Sequence, residues 1–161
     1  MESIVITIDI PGFGELMLAH LIADYNGTLA VDGKPLDGVK ERVSVLAHEL
    51  MLHIVTGNTY GDARDHVVGW PAEVVCLSGE PNQAEAKRRY IESLGANRTA
   101  VIGNGRNDAA VLRLAALGIV VLGTEGAAVE AIESADIVVH HAVDALGLLL
   151  KPKRLVASLR S

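Results

Sequence analysis

Three short polar segments, each following an apolar run, hold most of the side chains in this chain that can do chemistry. They are Asp24-Tyr25-Asn26-Gly27-Thr28, Thr56-Gly57-Asn58 and Gly103-Asn104-Gly105-Arg106-Asn107-Asp108. A carboxylate such as Asp24 can act as a nucleophile or hold a hard cation. Glycines let backbone amides turn toward an anion, and hydroxyls add further donors. Attack on phosphorus, with a divalent cation to balance charge, uses this combination of groups.

Other site chemistries fit less well. Gly103-x-Gly105 has the start of a dinucleotide fingerprint, but Asp108 stands where a third glycine belongs, and the segment comes late in the chain. No Gly-Lys-Ser/Thr run ends a phosphate loop. An EF-hand loop starting at Asp24 fails at Leu29 and Pro35. His48 and His53 straddle a helix–strand junction and read as structural. Cys76, the only cysteine, lies in the apolar run Val74-Val75-Cys76-Leu77 and reads as a buried small hydrophobe.

The elements that must position these segments follow from periodicity. Apolar runs at residues 4–10, 16–23, 51–55, 73–77, 99–102, 118–122 and 136–139 read as strands. The first two are expected to pair as a hairpin through Pro11-Gly12-Phe13-Gly14. Residues 24–35 read as a polar loop with a small flap. Apolar residues recur at spacings of three and four over residues 36–50, predicting a helix with Asp37 as N-cap. A weak helix is expected near residues 61–68, and a better one over 83–94, closed by Gly95. Helices are further expected through Ala116, over 125–133 and 143–150, and after Pro152.

This alternation predicts an α/β fold: a Rossmann-like three-layer sandwich with a mostly parallel sheet behind an N-terminal β-hairpin, formed as a single domain over residues 1–161. A parallel sheet brings all three polar segments to one edge, where open α/β sheets bind ligands.

Composition narrows the partners. The 161 residues are 50% hydrophobic with only 3% aromatic, so the core must be aliphatic. A formal charge of −6 argues against a nucleic-acid surface. Lys151, Lys153, Arg154 and Arg160 read as a solvated helix face. No apolar run is long enough to span a bilayer and no leader pattern opens the chain, so the expected setting is cytoplasmic, with no membrane partner.

The ordered segments resemble the haloacid dehalogenase-like (HAD) superfamily, and within it the small soluble branch related to the phosphorylation domain of P-type ATPases. Asp24-x-Asn26-Gly27-Thr28 is similar to its first motif, Thr56-Gly57 to its second, Lys87 to its third, and Gly103 through Asp108 to its fourth. The resemblance implies a capless HAD-like core and a Mg²⁺-dependent phosphohydrolase acting on phosphomonoesters through a phosphoaspartate. It makes Asp24 the nucleophile, with Asn26, Thr56 and Lys87 completing the catalytic set. Tyr25, Gly27, Thr28, Gly57 and Asn107 would bind phosphate. Asp24, the Asn26 carbonyl, Asn104 and Asp108 would face the metal.

Two positions depart from that pattern. Asn26 stands where such phosphatases carry an acid–base aspartate, and Asn104 where they carry a metal-ligating aspartate. An amide transfers no proton, and acid–base help is worth roughly 10²–10⁴-fold in rate. The departures keep a second reading open: a weak phosphoryl-accepting, regulatory or interaction domain. Lacking a cap, the site is expected to be open. A homo-oligomer would then supply a lid over a phosphorylated small molecule, or a bulky phosphorylated substrate would cover the site itself.

Overall fold

The computed structural model describes residues 5–57 and 63–161. Ile4, Asn58 and the start of the helix expected from Gly61 lie outside the described residues. The apolar N-terminal runs do not make one hairpin of two long strands. β1 (Ile6–Ile10) pairs antiparallel with β2 (Gly14–Leu18), and the chain then bends at Ala19 into a third strand, β3 (His20–Asp24). Ala19 makes the junction: its amide donates to Arg98 O at 2.8 Å and its carbonyl accepts from Met51 N at 3.0 Å. An apolar run does not encode such a handover, because both sides of Ala19 need the same residue types.

From β3 the chain forms the predicted flap, β4 (Ala30–Val31) against β5 (Lys34–Pro35), then α1 (Val39–Leu46) and β6 (Met51–Thr56). Helix α1 is shorter than residues 36–50, and Asp37 does not cap it. Gly38, at φ +84°, takes the N-cap position without a side-chain bond. Then follow α2 (Ala63–His66), β7 (Glu73–Cys76), α3 (Gln83–Leu94), β8 (Thr99–Gly103), α4 (Ala109–Leu114), β9 (Leu117–Val121), α5 (Val129–Ser134), β10 (Ile137–Val139), α6 (Ala142–Leu150) and α7 (Pro152–Leu159). Helix α3 has the predicted bounds: Asn82 caps it by accepting from Glu85 N at 3.1 Å, and Gly95 closes it. Helix α5 starts later than predicted. Gly123 and Gly126 sit at positive φ, and the Ala128 amide donates to Asn104 O instead of continuing a helix, so residues 122–128 form a loop.

The main sheet has six parallel strands in the order β10-β9-β8-β3-β6-β7. It matches the predicted layered α/β class, with the hairpin present as a separate two-stranded sheet. Helices cover both faces, so strands are apolar on both sides, and every residue of β8 and β9 is buried. Alternation divides β3: Leu21 and Ala23 join the core shared with α1, α6, α7 and the hairpin, while Ile22 joins the core under α3, α4 and α5. Each fully buried Leu or Ile contributes about 1.5–3 kcal/mol of transfer free energy, before entropy is counted. Asp24 is in phase with Ile22 and so belongs to the α3 face.

Cys76 is exposed, contrary to expectation. It ends the edge strand β7, whose outer residues meet solvent. The four C-terminal basic side chains are at least partly exposed, with Leu155 as the buried anchor of α7. No helix among the described residues is long and apolar enough to cross a membrane.

Candidate active site

Register brings the polar segments together. Asp24 pairs with Val55, one residue before Thr56, and Ala23 pairs with Ile102, one residue before Gly103. The carboxyl ends of β3, β6 and β8 are therefore adjacent, and their loops share one rim.

Lys87 reaches this rim from α3. Its ammonium donates to Asp108 Oδ1 at 2.7 Å, Asp24 Oδ1 at 3.1 Å and Asn107 Oδ1 at 3.1 Å, which uses all three donors. Its neighbours in sequence point elsewhere: Arg88 pairs with Glu85 and Glu92 on the outer face, and Arg89 with Glu80. The Lys87 side chain is 5% exposed and that of Asp24 14%. Two buried carboxylates thus share one cation. Burial, then the charge of Asp108, pushes the Asp24 carboxyl up to about 7, against the pull of Lys87. Burial works against the Lys87 charge, but Asp24 and Asp108 outweigh it and hold its pKa above the usual lysine range.

Asp108 is held from both sides. While Oδ1 takes Lys87, Oδ2 accepts the amides of Asn104 at 3.1 Å and Gly105 at 2.9 Å. This arrangement ties down the Gly103–Asp108 loop. Gly103 is required beneath it, since a Cβ there would lie 2.7 Å from Asp108 Cγ.

Several side chains expected at phosphate are engaged within the protein. Tyr25 is fully buried; its hydroxyl donates to Gly33 O at 2.9 Å and its amide to Val55 O at 3.0 Å. It fastens the flap. The amides of Gly27 and Thr28 donate to Ala30 O and Tyr25 O. Strand and turn bonding thus takes the amides at 25, 27 and 28 away from an anion. The Thr28 hydroxyl donates to Asn104 Oδ1 at 3.2 Å. Asn107 steadies Lys87 and donates to Gln83 Oε1 at 3.5 Å. Gly27 combines φ +77° with close approach: a Cβ there would lie 2.5 Å from Asn104 Nδ2.

Asn26 donates to Thr56 Oγ1 at 3.3 Å, while its Oδ1 is buried without a hydrogen-bond partner. Asn104 is a connector: besides accepting from Thr28, its Nδ2 donates to Gly126 O at 3.0 Å. A cleft of about 220 Å³ opens between these loops, lined by Asp24, Asn26, Gly57, Lys87, Asn104 and Glu125, among others. Sequence reasoning missed Glu125 and Gln83. The loop after β9 is a fourth polar segment following an apolar strand, which was the available signal; Gln83 gave none beyond its place in the first turn of α3.

A hard divalent cation fits this donor set. Asp24, Asn26 and Asn104 line the cleft and carry oxygen donors of the kind Mg²⁺ prefers, and Asn26 Oδ1 has no hydrogen-bond partner. Among the described residues no group of three His, Cys, Asp or Glu side chains forms a ready-made cage.

Known proteins place the architecture. The chain superposes with a TM-score of 0.67 on the cobalt-bound deoxy-D-mannose-octulosonate 8-phosphate phosphatase of Haemophilus influenzae, at 15% identity, covering 88% of this chain and 90% of that one. The corresponding phosphatase of Moraxella catarrhalis, in complex with magnesium ion, phosphate ion and KDO, gives 0.62 at 17% identity over 89% and 94%. A phosphatase of the haloalkanoate (HAD) enzyme superfamily from Bacteroides thetaiotaomicron gives 0.60 at 13% identity over 87% and 95%. The fold is HAD-like.

By sequence, this HAD-like chain belongs to the family of the uncharacterized protein MJ0073 of Methanocaldococcus jannaschii. The two are 47% identical over 79 residues, which cover 47% of this chain and 85% of that one. No family model matches the chain. The HAD-like core is thus established by fold, and the narrower P-type ATPase likeness rests on motifs alone.

Proposed function

We propose that this chain is a Mg²⁺-dependent phosphohydrolase that attacks a phosphomonoester with Asp24. The observation that carries the reading is the Asp24–Lys87–Asp108 arrangement, set at the carboxyl end of the central strand and open to a cleft. The HAD-like fold, shared with phosphatases, supports it.

In this reading an Asp24 carboxylate oxygen bonds to phosphorus as the ester oxygen leaves with its electron pair, giving an aspartyl phosphate. Water then attacks that phosphorus, releasing phosphate and restoring Asp24. Lys87 holds the Asp24 carboxylate in one orientation. The Thr56 hydroxyl and the amides of Asn26 and Gly57 are the candidates to receive phosphoryl oxygens. A bound divalent cation would neutralise charge between carboxylate and phosphate; Asp24, Asn26 and Asn104 would hold it. Asn26 supplies no proton to the leaving group, so the ester oxygen takes one from water and good leaving groups react fastest. The leaving group would lie along an outer groove of about 660 Å³ that includes Gln83, Arg106 and Asn107. A phosphorylated small molecule under a neighbouring copy of the chain, or a bulky phosphorylated substrate, in a cytoplasmic setting, completes the proposal.

Phosphate release from a panel of small phosphate esters, with and without Mg²⁺, tests it. Asp24→Asn is expected to abolish release; unchanged release would sink the reading. The commitment of Asn26 to Thr56 and of Asn104 to Gly126 favours a second reading, a phosphoryl-accepting regulatory domain. That domain would trap beryllium fluoride without turning over esters.

A further inference from the structure

We propose that Gln83 donates a hydrogen bond to the ester oxygen as it leaves, in part replacing the acid that position 26 lacks. This rests on the phosphohydrolase reading above. Three observations carry it.

First, Gln83 stands where the two spaces of the site meet. It lines the cleft with Asp24, Asn26 and Lys87, and the outer groove with Arg106 and Glu130. Gly105 and Asn107 are the other residues that line both. A substrate with its phosphoryl group at Asp24 and its remainder in the groove crosses this boundary. The bond that breaks joins those two parts.

Second, the Gln83 carboxamide is fixed in place. Gln83 precedes Lys87 by four residues in α3, so both project from one face of the helix. Asn107 ties the two together: its Oδ1 accepts from Lys87 Nζ at 3.1 Å, and its Nδ2 donates to Gln83 Oε1 at 3.5 Å. Lys87 in turn donates to Asp24 Oδ1 at 3.1 Å. On its other side the carboxamide lies against Gly57. A Cβ there would sit 2.7 Å from Gln83 Oε1 and 2.8 Å from Nε2, so only glycine permits the contact.

Third, the end of the carboxamide left for a substrate is a donor. Oε1 takes the Asn107 bond, and Nε2 has no acceptor among the described residues. Asn26 Nδ2 is engaged by Thr56, and Gly105 has only its backbone to offer. A fixed donor placed where negative charge develops lowers the barrier. No proton is transferred: the ester oxygen departs with the P–O electron pair, accepts the Nε2–H bond, and takes its proton from water.

The test is single-turnover release of the aryl alcohol from a series of aryl phosphates, with the full chain in excess and Mg²⁺ present. This reads P–O cleavage apart from later hydrolysis. Gln83→Met keeps the length of the side chain without an N–H, and Gln83→Glu keeps its shape and the acceptor for Asn107. Both are expected to cleave phenyl phosphate at least about tenfold more slowly than wild type and dinitrophenyl phosphate at nearly the wild-type rate. The Brønsted slope over leaving-group pKa therefore steepens. A residue that merely positions the Gly57 loop or Asn107 would slow every ester alike. Parallel Brønsted plots, or wild-type rates in both variants, would overturn the inference. The two proposals fail separately. Release that requires Asp24 but shows parallel plots leaves the phosphohydrolase standing without this contact. Release untouched by Asp24→Asn, or absent from wild type for every ester, removes the phosphohydrolase and this role with it.

Discussion

The Lys87 ammonium lies 3.1 Å from Asp24 Oδ1, although 63 positions separate the two residues. Only the packing of α3 against β3 and β8 closes that distance, and it puts a positive charge where two carboxylates would otherwise repel. Lys87→Met is therefore expected to abolish phosphate release and to destabilise the fold by about 3–5 kcal/mol, because it strands two buried carboxylates. Urea unfolding and phosphate assays on the same preparation check both effects.

Restoring an acid at position 26 should help hydrolysis. Asn26→Asp is expected to raise phosphate release toward the roughly 10²–10⁴-fold that general acid–base catalysis provides, most for esters with poor leaving groups. A Brønsted plot over leaving-group pKa reads this as a shallower slope; an unchanged slope would mean that the new carboxyl does not reach the leaving oxygen.

Gly27→Ala should damage the site more than its size suggests. It imposes a Cβ at positive φ and pushes against Asn104 Nδ2. The expected cost is about 1–3 kcal/mol, seen as a lower melting temperature. Loosening of Asn104 should also release the loop at residues 122–128, read as faster hydrogen exchange there.

A chain of three rings links β3, β6 and α3, with His53 buried at its centre. His53 Nε2 lies 3.0 Å from His20 Nδ1, and His53 Nδ1 lies 2.7 Å from the Tyr90 hydroxyl. Burial, then the neighbouring His20, lowers His53 from 6.5 to about 4; burial and Arg98 lower His20 as well. Between those pH values the unfolded chain binds more protons at His53 than the native one. Stability from this group is therefore complete above pH 6.5 and lost as pH falls toward 4. Asp24 acts in the opposite sense over much of the same range, since its native pKa is raised. It is common to wild type and His53→Leu, so the difference between their melting curves isolates His53. Wild type should lose more stability than His53→Leu on acidification from pH 7 to 4, and parallel curves would contradict the assignment.

How much of this was legible beforehand follows from particular residues. Residues 83–94 declare a helix, with Asn82 and Gly95 as its ends, because caps are local chemistry. The strand–loop alternation gave the layered class, and the four polar motifs in order marked the site. Local pattern did not reveal that the run at residues 16–23 divides at Ala19. It also did not reveal that Glu125 leaves its expected helix, because two positive-φ glycines and a bond to Asn104 outweigh helix propensity there.

The amino-acid order by itself determined which side chains could do chemistry: a nucleophilic carboxylate, a lysine in the second turn of a capped helix, and amides where acids are usual. Tertiary structure alone decided how each is used. It turned Lys87, and not Arg88 or Arg89, inward; it engaged Asp108 and the Tyr25 amide within the protein; and it made Asn104 a connector. The reason is physical. Composition and periodicity fix burial and local geometry, whereas a hydrogen-bond partner is chosen by whichever donor the packed strands bring within about 3 Å.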